Sequence, residues 1–281
     1  MVRPFVNIRK RIVAVKKNFT FILSVLLCVA AASYGASIAN PTAQVSDARL
    51  SIGASYFVGG SSIGGGTEPD DAVPMMMNRL CARVSYAPVR YVNFGLDFGT
   101  AQVSVDQYAN GWGDTVPIFN GGFGWSAGGH LKLSTPYFGN YVGLFGLANG
   151  NLFRSTNKRK AYYGGADAVG VVGVQVRVPN FGFVSVGPQV YLIQGENRGY
   201  DSDEVGKYSN INNVRGWIAL DYFPDMNGLT GEHTPYASIE FTMSPKISGS
   251  RRVPVKEFSL SVSVGVITPR LYGADKEAED F

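Results

Sequence analysis

The sequence predicts an all-β protein whose strands form one up-and-down antiparallel sheet of about ten long strands. Three observations predict this fold class: apolar residues alternate with small or polar ones, the alternating segments are long, and the connections between them are long and short in turn. Successive side chains of a strand point to opposite faces, so this alternation gives each strand one apolar and one polar face. The segments average about twelve residues, roughly double an ordinary globular strand.

The first 39 residues have the three parts of a secretory signal peptide. A basic region precedes the apolar run Phe21–Ala32, and small residues follow it up to Ser37-Ile38-Ala39. The run is about twelve residues, whereas a membrane helix needs roughly twenty. We therefore expect cleavage after Ala39, with Gly35 as the alternative site, and export of the remaining chain.

Charge and cysteine content narrow the classes of function. Six of the 25 basic residues lie in residues 1–39, which contain no acidic residue, so 19 basic and 21 acidic residues remain after cleavage. The pI of about 9.0 therefore reflects the N-terminus and does not indicate a nucleic-acid-binding surface. Cleavage also removes Cys28 and leaves Cys81 alone, which excludes an internal disulfide and indicates no metal cluster.

Ten segments carry the alternation along the chain. The third (VNFGLDFG), fourth (FGWSAGGHLKL), seventh (VSVGPQVYL), ninth (ASIEFTMS) and tenth (FSLSVSVGV) show it most clearly, and the fifth is the least regular because Val142 and Leu144 break its parity. The first, second, sixth and eighth are predicted as strands of the same kind. The predicted bounds are Ala48–Gly59, Arg79–Ala87, Tyr91–Val105, Gly122–Ser134, Tyr141–Arg154, Tyr163–Val178, Phe181–Gln194, Asn212–Phe223, Pro235–Lys246 and Glu257–Thr268.

The connections differ systematically in length. Those after the second, fourth and sixth segments are short, the odd-numbered ones are long and polar, and only the eighth (PDMNGLTGEHT) departs from this order. In an up-and-down sheet, this places long loops at one end and tight turns at the other. Aromatic residues flank the short connections: Tyr86, Tyr91, Tyr137, Phe138, Tyr141, Phe181, Phe183, Tyr222, Phe223 and Tyr236. Aromatic rings favour a membrane–water interface.

Taken together, these features resemble the bacterial outer-membrane β-barrels, in particular the small porin-like transmembrane barrels. The resemblance implies a closed barrel over residues 40–272, because backbone groups in lipid must pair internally. It also implies external long loops, periplasmic turns and termini, assembly by the barrel assembly machinery, and a monomer in the cell outer membrane in contact with its lipids and lipopolysaccharide. Eight or twelve strands, and a soluble lectin-like sandwich, are the alternatives for the fold.

The C-terminus departs from the pattern of that family. Such barrels commonly end in an aromatic residue that closes the last strand, and this chain ends in Phe281, but the preceding KEAED is too charged for a strand that faces lipid. Pro269 also precedes Tyr272 closely. We expect either a strand that ends at Tyr272 with a charged periplasmic tail at 273–281, or a different register.

If the apolar parity faces lipid, the other parity faces the interior of the barrel. The charged and histidine residues of that parity are Arg83, Asp97, His130, Lys132, Arg177, Asp221 and Glu240. Both signs are present, so paired networks across a narrow interior are feasible. The sequence therefore predicts a closed, salt-bridged interior with a structural or surface-interaction role, and a narrow channel for small solutes as the alternative.

An enzyme is the least favoured class. Barrel enzymes often use a histidine near the outer rim, and this chain has only His130 and His233, both expected toward the periplasmic side. We therefore predict no catalytic residue, no metal ligand and no cofactor.

The loop motifs are weak. The glycine-rich run GGSSIGGGTEP lacks the Gly-Lys-Ser/Thr of a phosphate-binding loop, and the acidic Tyr200–Gly206 is more typical of a solvated tip than of a calcium site. The basic Arg154–Lys160 could contact lipopolysaccharide phosphates, and Met75, Met76 and Met77 suggest a loop over the barrel mouth.

Overall fold

Most of the described chain is β-strand, as the alternation predicts. The computed structural model describes residues 48–64, 73–89, 91–106, 108–109, 115–116, 118–139, 141–179, 181–199, 205–210, 214–223, 233–248, 255–269 and 271. The predicted signal peptide with its cleavage site at Ala39, and the predicted tail 273–281, lie outside these residues. Among the residues described, there is no helix with the length and apolar character needed to cross a membrane.

The strands follow one another along the chain with few interruptions. They are β1 Arg49–Gly64, β2 Val73–Val89, β3 Val92–Val105, β4 Tyr108–Ala109, β5 Thr115–Val116, β6 Phe119–Asn120, β7 Gly124–Ser134, β8 Val142–Thr156, β9 Tyr162–Val178, β10 Gly182–Arg198, β11 Val205–Asn210, β12 Val214–Tyr222, β13 Thr234–Ser248 and β14 Val255–Ile267.

Ten of these strands form a closed antiparallel ring in the described part of the chain. Sequential neighbours pair in the order β1, β2, β3, β7, β8, β9, β10, β12, β13 and β14. The last strand then pairs with the first, with Gly53 opposite Gly265 and Ser55 opposite Ser263. This confirms the predicted up-and-down barrel of ten strands, so the eight-strand, twelve-strand and sandwich alternatives are wrong.

The first hairpin is longer than the sequence predicts. We assigned residues 60–78 to a loop because they begin with glycine and serine, yet β1 continues to Gly64 and β2 begins at Val73. Backbone pairing explains the difference, since Ser61 lies opposite Met75 and Gly59 opposite Met77. The three methionines are therefore on a strand, and the prediction of a loop over the mouth is wrong for them.

Two predicted long connections also contain short strands. The connection after β3 contains β4, β5 and β6, and β6 pairs with the end of β3. The connection after β10 contains β11, which pairs with β10 and with residues 63–64 of β1. We call this end of the barrel the loop end and the opposite end the turn end.

The outer face of the barrel is a belt of exposed apolar side chains. Its members include Ile52, Leu80, Val84, Phe94, Leu96, Phe98, Trp125, Leu131, Leu133, Leu144, Leu152, Val172, Val186, Val190, Leu192, Ile218, Leu220 and Phe241. A water-soluble protein rarely exposes a contiguous apolar patch of more than a few hundred square ångströms, on the order of 300–600 Å². A belt around the whole ring therefore requires lipid to cover it.

The belt ends before the loop end of β3. There the outward residues are Thr100, Gln102 and Ser104, while Ala101 and Val103 are fully buried inside the ring. Polar residues outside and apolar residues inside are the arrangement of a water-soluble barrel, the reverse of the lipid-facing region. The strands therefore extend beyond the lipid-facing region at this end.

Aromatic pairs occupy the turn end, as the sequence predicts. Phe181 lies 5.4 Å from Tyr222 and Tyr86 lies 5.8 Å from Phe94, measured between ring centroids. The turn before β10 requires glycine, because Gly182 has a φ of 147° and a Cβ there would lie 1.9 Å from the carbonyl oxygen of Asp221.

Candidate functional site: the barrel interior

The interior is the candidate site because the inward parity of ten strands converges on it. Six of the seven residues predicted to face it are at most 5% exposed: Arg83, Asp97, His130, Lys132, Asp221 and Glu240. Arg177 is only half-buried near the turn end of β9, where its backbone N–H donates to the carbonyl of Tyr141 at 2.7 Å.

The strongest contact among them joins neighbouring strands. Arg83 of β2 donates to Asp97 of β3 from Nε to Oδ1 at 2.6 Å and from Nη2 to Oδ2 at 3.1 Å. Such a bidentate pair is among the strongest side-chain interactions. Asp97 also accepts from Asn149 Nδ2 at 3.4 Å, so the pair extends to β8.

Asn149 continues this network across the barrel to a second ion pair. Asn151 donates to Asn149 at 2.5 Å and to Asp167 of β9 at 3.3 Å. Asp167 in turn forms a buried salt bridge with Arg79 of β2. The guanidinium of Arg79 also lies 4.8 Å from the ring centre of Phe57, which adds a cation–π contact.

Sequence reasoning missed this second pair, although a signal was present. Arg79 has the same parity as Arg83 on β2, and Asp167 has the same parity as Arg177 on β9. Both residues lie within predicted strands, Arg79–Ala87 and Tyr163–Val178, so the parity argument applied to Arg83 and Arg177 would also have placed Arg79 and Asp167 inside.

His130 of β7 lies beside a serine and an aspartate, as in a catalytic triad. Its Nε2 is 3.3 Å from Ser85 Oγ and 3.0 Å from Asn93 Oδ1, and its Nδ1 is 3.8 Å from Asp97 Oδ2. The last distance is too long for the hydrogen bond that orients a catalytic imidazole. Asn93 also competes with Ser85 for Nε2, and Ser85 is only 1% exposed. The cluster is better suited to packing than to nucleophilic attack.

Gly95 makes room for this histidine. It lies between Ser85 and His130 in the strand register. A Cβ at this position would be 2.6 Å from both His130 Cε1 and Ser85 Oγ. Because no side chain fits there, the imidazole can pack against the backbone of β3.

A second charged group surrounds Lys132. It interacts electrostatically with Asp221 and Glu240, and its Nζ lies 5.3 Å from the ring centre of Phe145. Asp221 accepts from Ser238 Oγ at 2.6 Å, and Glu240 accepts from the indole N–H of Trp217 at 3.1 Å. Each carboxylate thus has a hydrogen-bond donor as well as a nearby cation.

A third group, which the sequence prediction did not name, surrounds Arg215 of β12. Arg215 donates to Ser61 Oγ at 2.8 Å, lies 3.8 Å from Glu257 Oε2, and lies over the ring of Tyr191 at 4.4 Å. Glu257 also accepts from the backbone N–H of Ser62 at 2.9 Å. The group ties β12 and β14 to β1 and β10.

Apolar side chains fill much of the remaining interior. The larger buried cluster comprises Phe57, Ile63, Val73, Met75, Met77, Ala101, Val103, Val105, Phe119, Phe145, Leu147, Phe153, Ala161, Tyr163, Val169, Val171, Tyr191, Ile193, Tyr208, Trp217 and Ala219. A smaller one comprises Phe183, Phe223, Tyr236 and Ile267, with Tyr137 packed against it. The sequence prediction named only charged residues and a histidine for the interior, and these apolar side chains line it as well.

β11 completes the wall at the loop end. The pairing of β10 with β12 ends at Val190, and residues 194–198 of β10 pair with β11 instead. The side chain of Asn210 accepts from the N–H of Ile193 at 2.9 Å and donates to the carbonyl of Tyr191 at 2.7 Å. Tyr208 packs inside, 5.5 Å from Tyr163 between ring centroids, and its burial raises the pKa of its hydroxyl.

The other sequence motifs lie at the edges of the described chain. His233 is exposed just before β13, and Lys158, Arg159 and Lys160 are exposed in the β8–β9 turn. Most of the acidic motif that begins at Tyr200 lies outside the described residues. Within the described residues, no group of three or more His, Cys, Asp or Glu side chains could hold a metal ion.

Comparisons with known proteins add distant likenesses in structure. No family model matches the chain, and no curated protein matches it. The chain is similar to the translocator domain of the autotransporter NalP from Neisseria meningitidis, with 12% identity, 79% of this chain and 88% of that chain covered, and a TM-score of 0.41. It is also similar to the outer-membrane protease OmpT from Escherichia coli, with 8% identity, 79% and 96% covered, and a TM-score of 0.40.

A third structure, the toluene transporter TodX from Pseudomonas putida, is similar at 8% identity, with 85% of this chain and 96% of that chain covered and a TM-score of 0.28. TM-scores this low do not decide the architecture of the chain. The closed ten-stranded ring with its apolar outer belt decides it. The chain has the architecture of a bacterial outer-membrane β-barrel. The next question is which function a barrel with a filled interior can have.

Proposed function

We propose that the protein works in the bacterial outer membrane as a sealed barrel with a structural or surface-interaction role. The observation that supports this is the packing of the interior, where charged, polar and aromatic side chains from opposite walls are in contact. Arg79 of β2 reaches Asp167 of β9, and Phe145 of β8 lies 5.5 Å from Trp217 of β12. Contacts across the ring occupy the space that a solute would need.

A narrow channel is the second candidate, and the chain of polar side chains from His130 to Arg79 favours it. Single-channel recording in planar bilayers separates the two. We expect the folded wild-type barrel to insert without steady conductance, because the polar chain is interrupted by apolar packing. The Phe145→Ala/Trp217→Ala double variant removes two contacting rings, and we expect it to show brief or continuous openings.

The double variant also serves as the control for insertion. Steady wild-type conductance of the same size as that of the double variant would overturn the sealed barrel in favour of the channel.

Membrane fractionation tests the location of the protein. We expect to recover it in the outer-membrane fraction, and we expect it to migrate faster on gels before boiling than after. Recovery as a soluble periplasmic protein would contradict the proposal.

The proposal includes no enzymatic activity. It rests on the burial of Ser85 and on the 3.8 Å between His130 and Asp97. The test is the Ser85→Ala variant. We expect any hydrolysis of ester or peptide substrates in purified samples to be unchanged by this substitution, and loss of a measurable activity would show that Ser85 is a nucleophile.

A further inference from the structure

One sector of the outer belt has mostly small side chains, with Leu144, Leu152 and Val172 as its large outward residues. On the outer faces of β8 and β9 lie Gly146, Ala148, Gly150, Gly164, Ala166, Ala168 and Gly170. A Cβ placed on Gly146 or Gly170 would meet no atom within 4 Å, so the surface there is open. Larger outward side chains stand on both sides, on β7 (Trp125, Leu131, Leu133) and on β10 (Val190, Leu192). We call the depression between them the furrow.

The furrow contains two cavities along its length. One lies within the apolar belt, has a volume of about 430 Å³, and is lined by Leu133, Ala148, Gly170 and Val190 among others. The second lies toward the loop end, has a volume of about 840 Å³, and is lined by residues that include Leu152, Ala166 and Lys207. Both volumes are within the range of small-molecule sites, roughly 300–1,000 Å³.

The loop end of the furrow is positively charged. Arg154 of β8 and Lys207 of β11 line the second cavity together with the acidic Glu196. Three more basic residues, Lys158, Arg159 and Lys160, are exposed in the adjacent β8–β9 turn. The guanidinium of Arg154 lies 4.2 Å from the ring centre of Tyr162, which restrains its position at the rim. An apolar trough therefore leads to a cationic end.

This combination selects an amphipathic anionic occupant. Only an apolar chain can cover the lower cavity favourably inside the belt, and the cations favour a phosphate above it. A second copy of the chain would fit less well, because a two-fold dimer through this face would bring the basic β8–β9 turns of both copies together. We propose that the furrow is a site for one phosphorylated lipid, with an acyl chain over Ala148 and Ala168 and its phosphate at Arg154 and Lys207.

This inference rests on the proposed location in a membrane, and native mass spectrometry of the full barrel tests it. The folded protein in detergent is titrated with phosphatidylglycerol or with phosphatidylcholine of the same chain length. Two basic side chains at the headgroup favour an anionic lipid over a zwitterionic one, so we expect wild type to retain phosphatidylglycerol roughly ten- to thirtyfold more tightly.

Two variants separate the parts of the site. Ala168→Phe fills the furrow, and we expect it to lose both lipids; Arg154→Gln/Lys207→Gln should lose only the preference for phosphatidylglycerol. The matched control is Ala82→Phe, which adds the same ring to an exposed alanine on β2. It should bind as wild type does.

Three outcomes would overturn the site: no preference in wild type, equal binding by Ala168→Phe and Ala82→Phe, or a dimer that Ala168→Phe dissociates. Heat-modifiable migration is measured on each variant, which ensures that lost binding is scored only for folded barrels. Membrane fractionation of cells that make the wild type tests the location separately from lipid binding by the purified barrel. Failure of the proposed location is thereby distinguishable from failure of the lipid site.

Discussion

The stability of this interior depends on its buried ion pairs remaining complete. Arg83 and Asp97 are at most 3% exposed and form two hydrogen bonds to each other. Replacing both by apolar residues can be neutral, but removing one leaves the other charge unpaired in a medium that solvates it poorly. The interior is therefore sensitive to single substitutions of its charges.

The Asp97→Asn variant tests this sensitivity. We expect a loss of about 3–5 kcal/mol in the free energy of unfolding, because Arg83 keeps its charge without its carboxylate. Urea unfolding in lipid vesicles, followed by tryptophan fluorescence, measures the loss. The matched control is Asp106→Asn at the exposed end of β3, which should change stability by less than about 0.5 kcal/mol. Equal effects would contradict the role given to the pair.

Two glycine-to-alanine substitutions test the packing around His130. Gly95→Ala would push its new methyl group against His130 and Ser85, and we expect it to destabilise the barrel by about 1–3 kcal/mol. Gly146→Ala adds the same methyl group where the outer face is open, so its effect should be small. The same urea titration compares the two. A harmless Gly95→Ala would show that the imidazole is not held against β3.

Parity made the inward charges predictable, but not their partners. The sequence placed Arg83, Asp97 and His130 on the inner face because each has the parity of the small and polar residues of its strand. It could not show that Asp97 meets both Arg83 and Asn149, since that depends on how β2, β3 and β8 are staggered. It also assigned Met75 and Met77 to a loop, because residues 60–78 begin with glycine and serine and their pairing with β1 is visible only in the folded sheet.

At the level of elements, the strands that form the barrel wall differ between its two ends. β12 ends its pairing with β10 at Val190, and β11 takes over at Gln194. No sequence pattern predicts β11, because VGKYSN lacks alternation and its pairing depends on edges that exist only once β10 and β1 are in place. Long strands were predictable from their own pattern, and this short one was not.

Hydrogen exchange tests how β11 is held. The side chain of Asn210 accepts a hydrogen bond from the backbone of Ile193 and donates one to the backbone of Tyr191. In Asn210→Ala, we expect the amide of Ile193 to exchange at least about tenfold faster, which corresponds to about 1.4 kcal/mol of lost protection. The control Ser209→Ala changes an exposed neighbour and should leave that amide unchanged. Unaltered protection in Asn210→Ala would show that the strand is fixed by other contacts.

At the level of the whole molecule, the interior combines two kinds of packing. The sequence predicted a closed, charged interior, and the ion pairs of Arg79, Arg83 and Arg215 lie there. The apolar cluster around Trp217 and Phe145 was not predictable, because alternation identifies faces without indicating how wide the barrel is or which rings meet across it. A barrel filled in both ways should exclude water-soluble reagents.

The reactivity of Cys81 tests the sealed interior most directly. It faces inward on β2, is 3% exposed, and is the single thiol that remains after the predicted cleavage. We predict that a charged methanethiosulfonate reagent fails to label Cys81 in the folded barrel and labels it fully after unfolding. In a Cys81→Ser/Thr156→Cys control, the exposed thiol at the loop end should react in the folded state. Labelling of Cys81 in the folded barrel at the rate of that control would contradict a sealed interior.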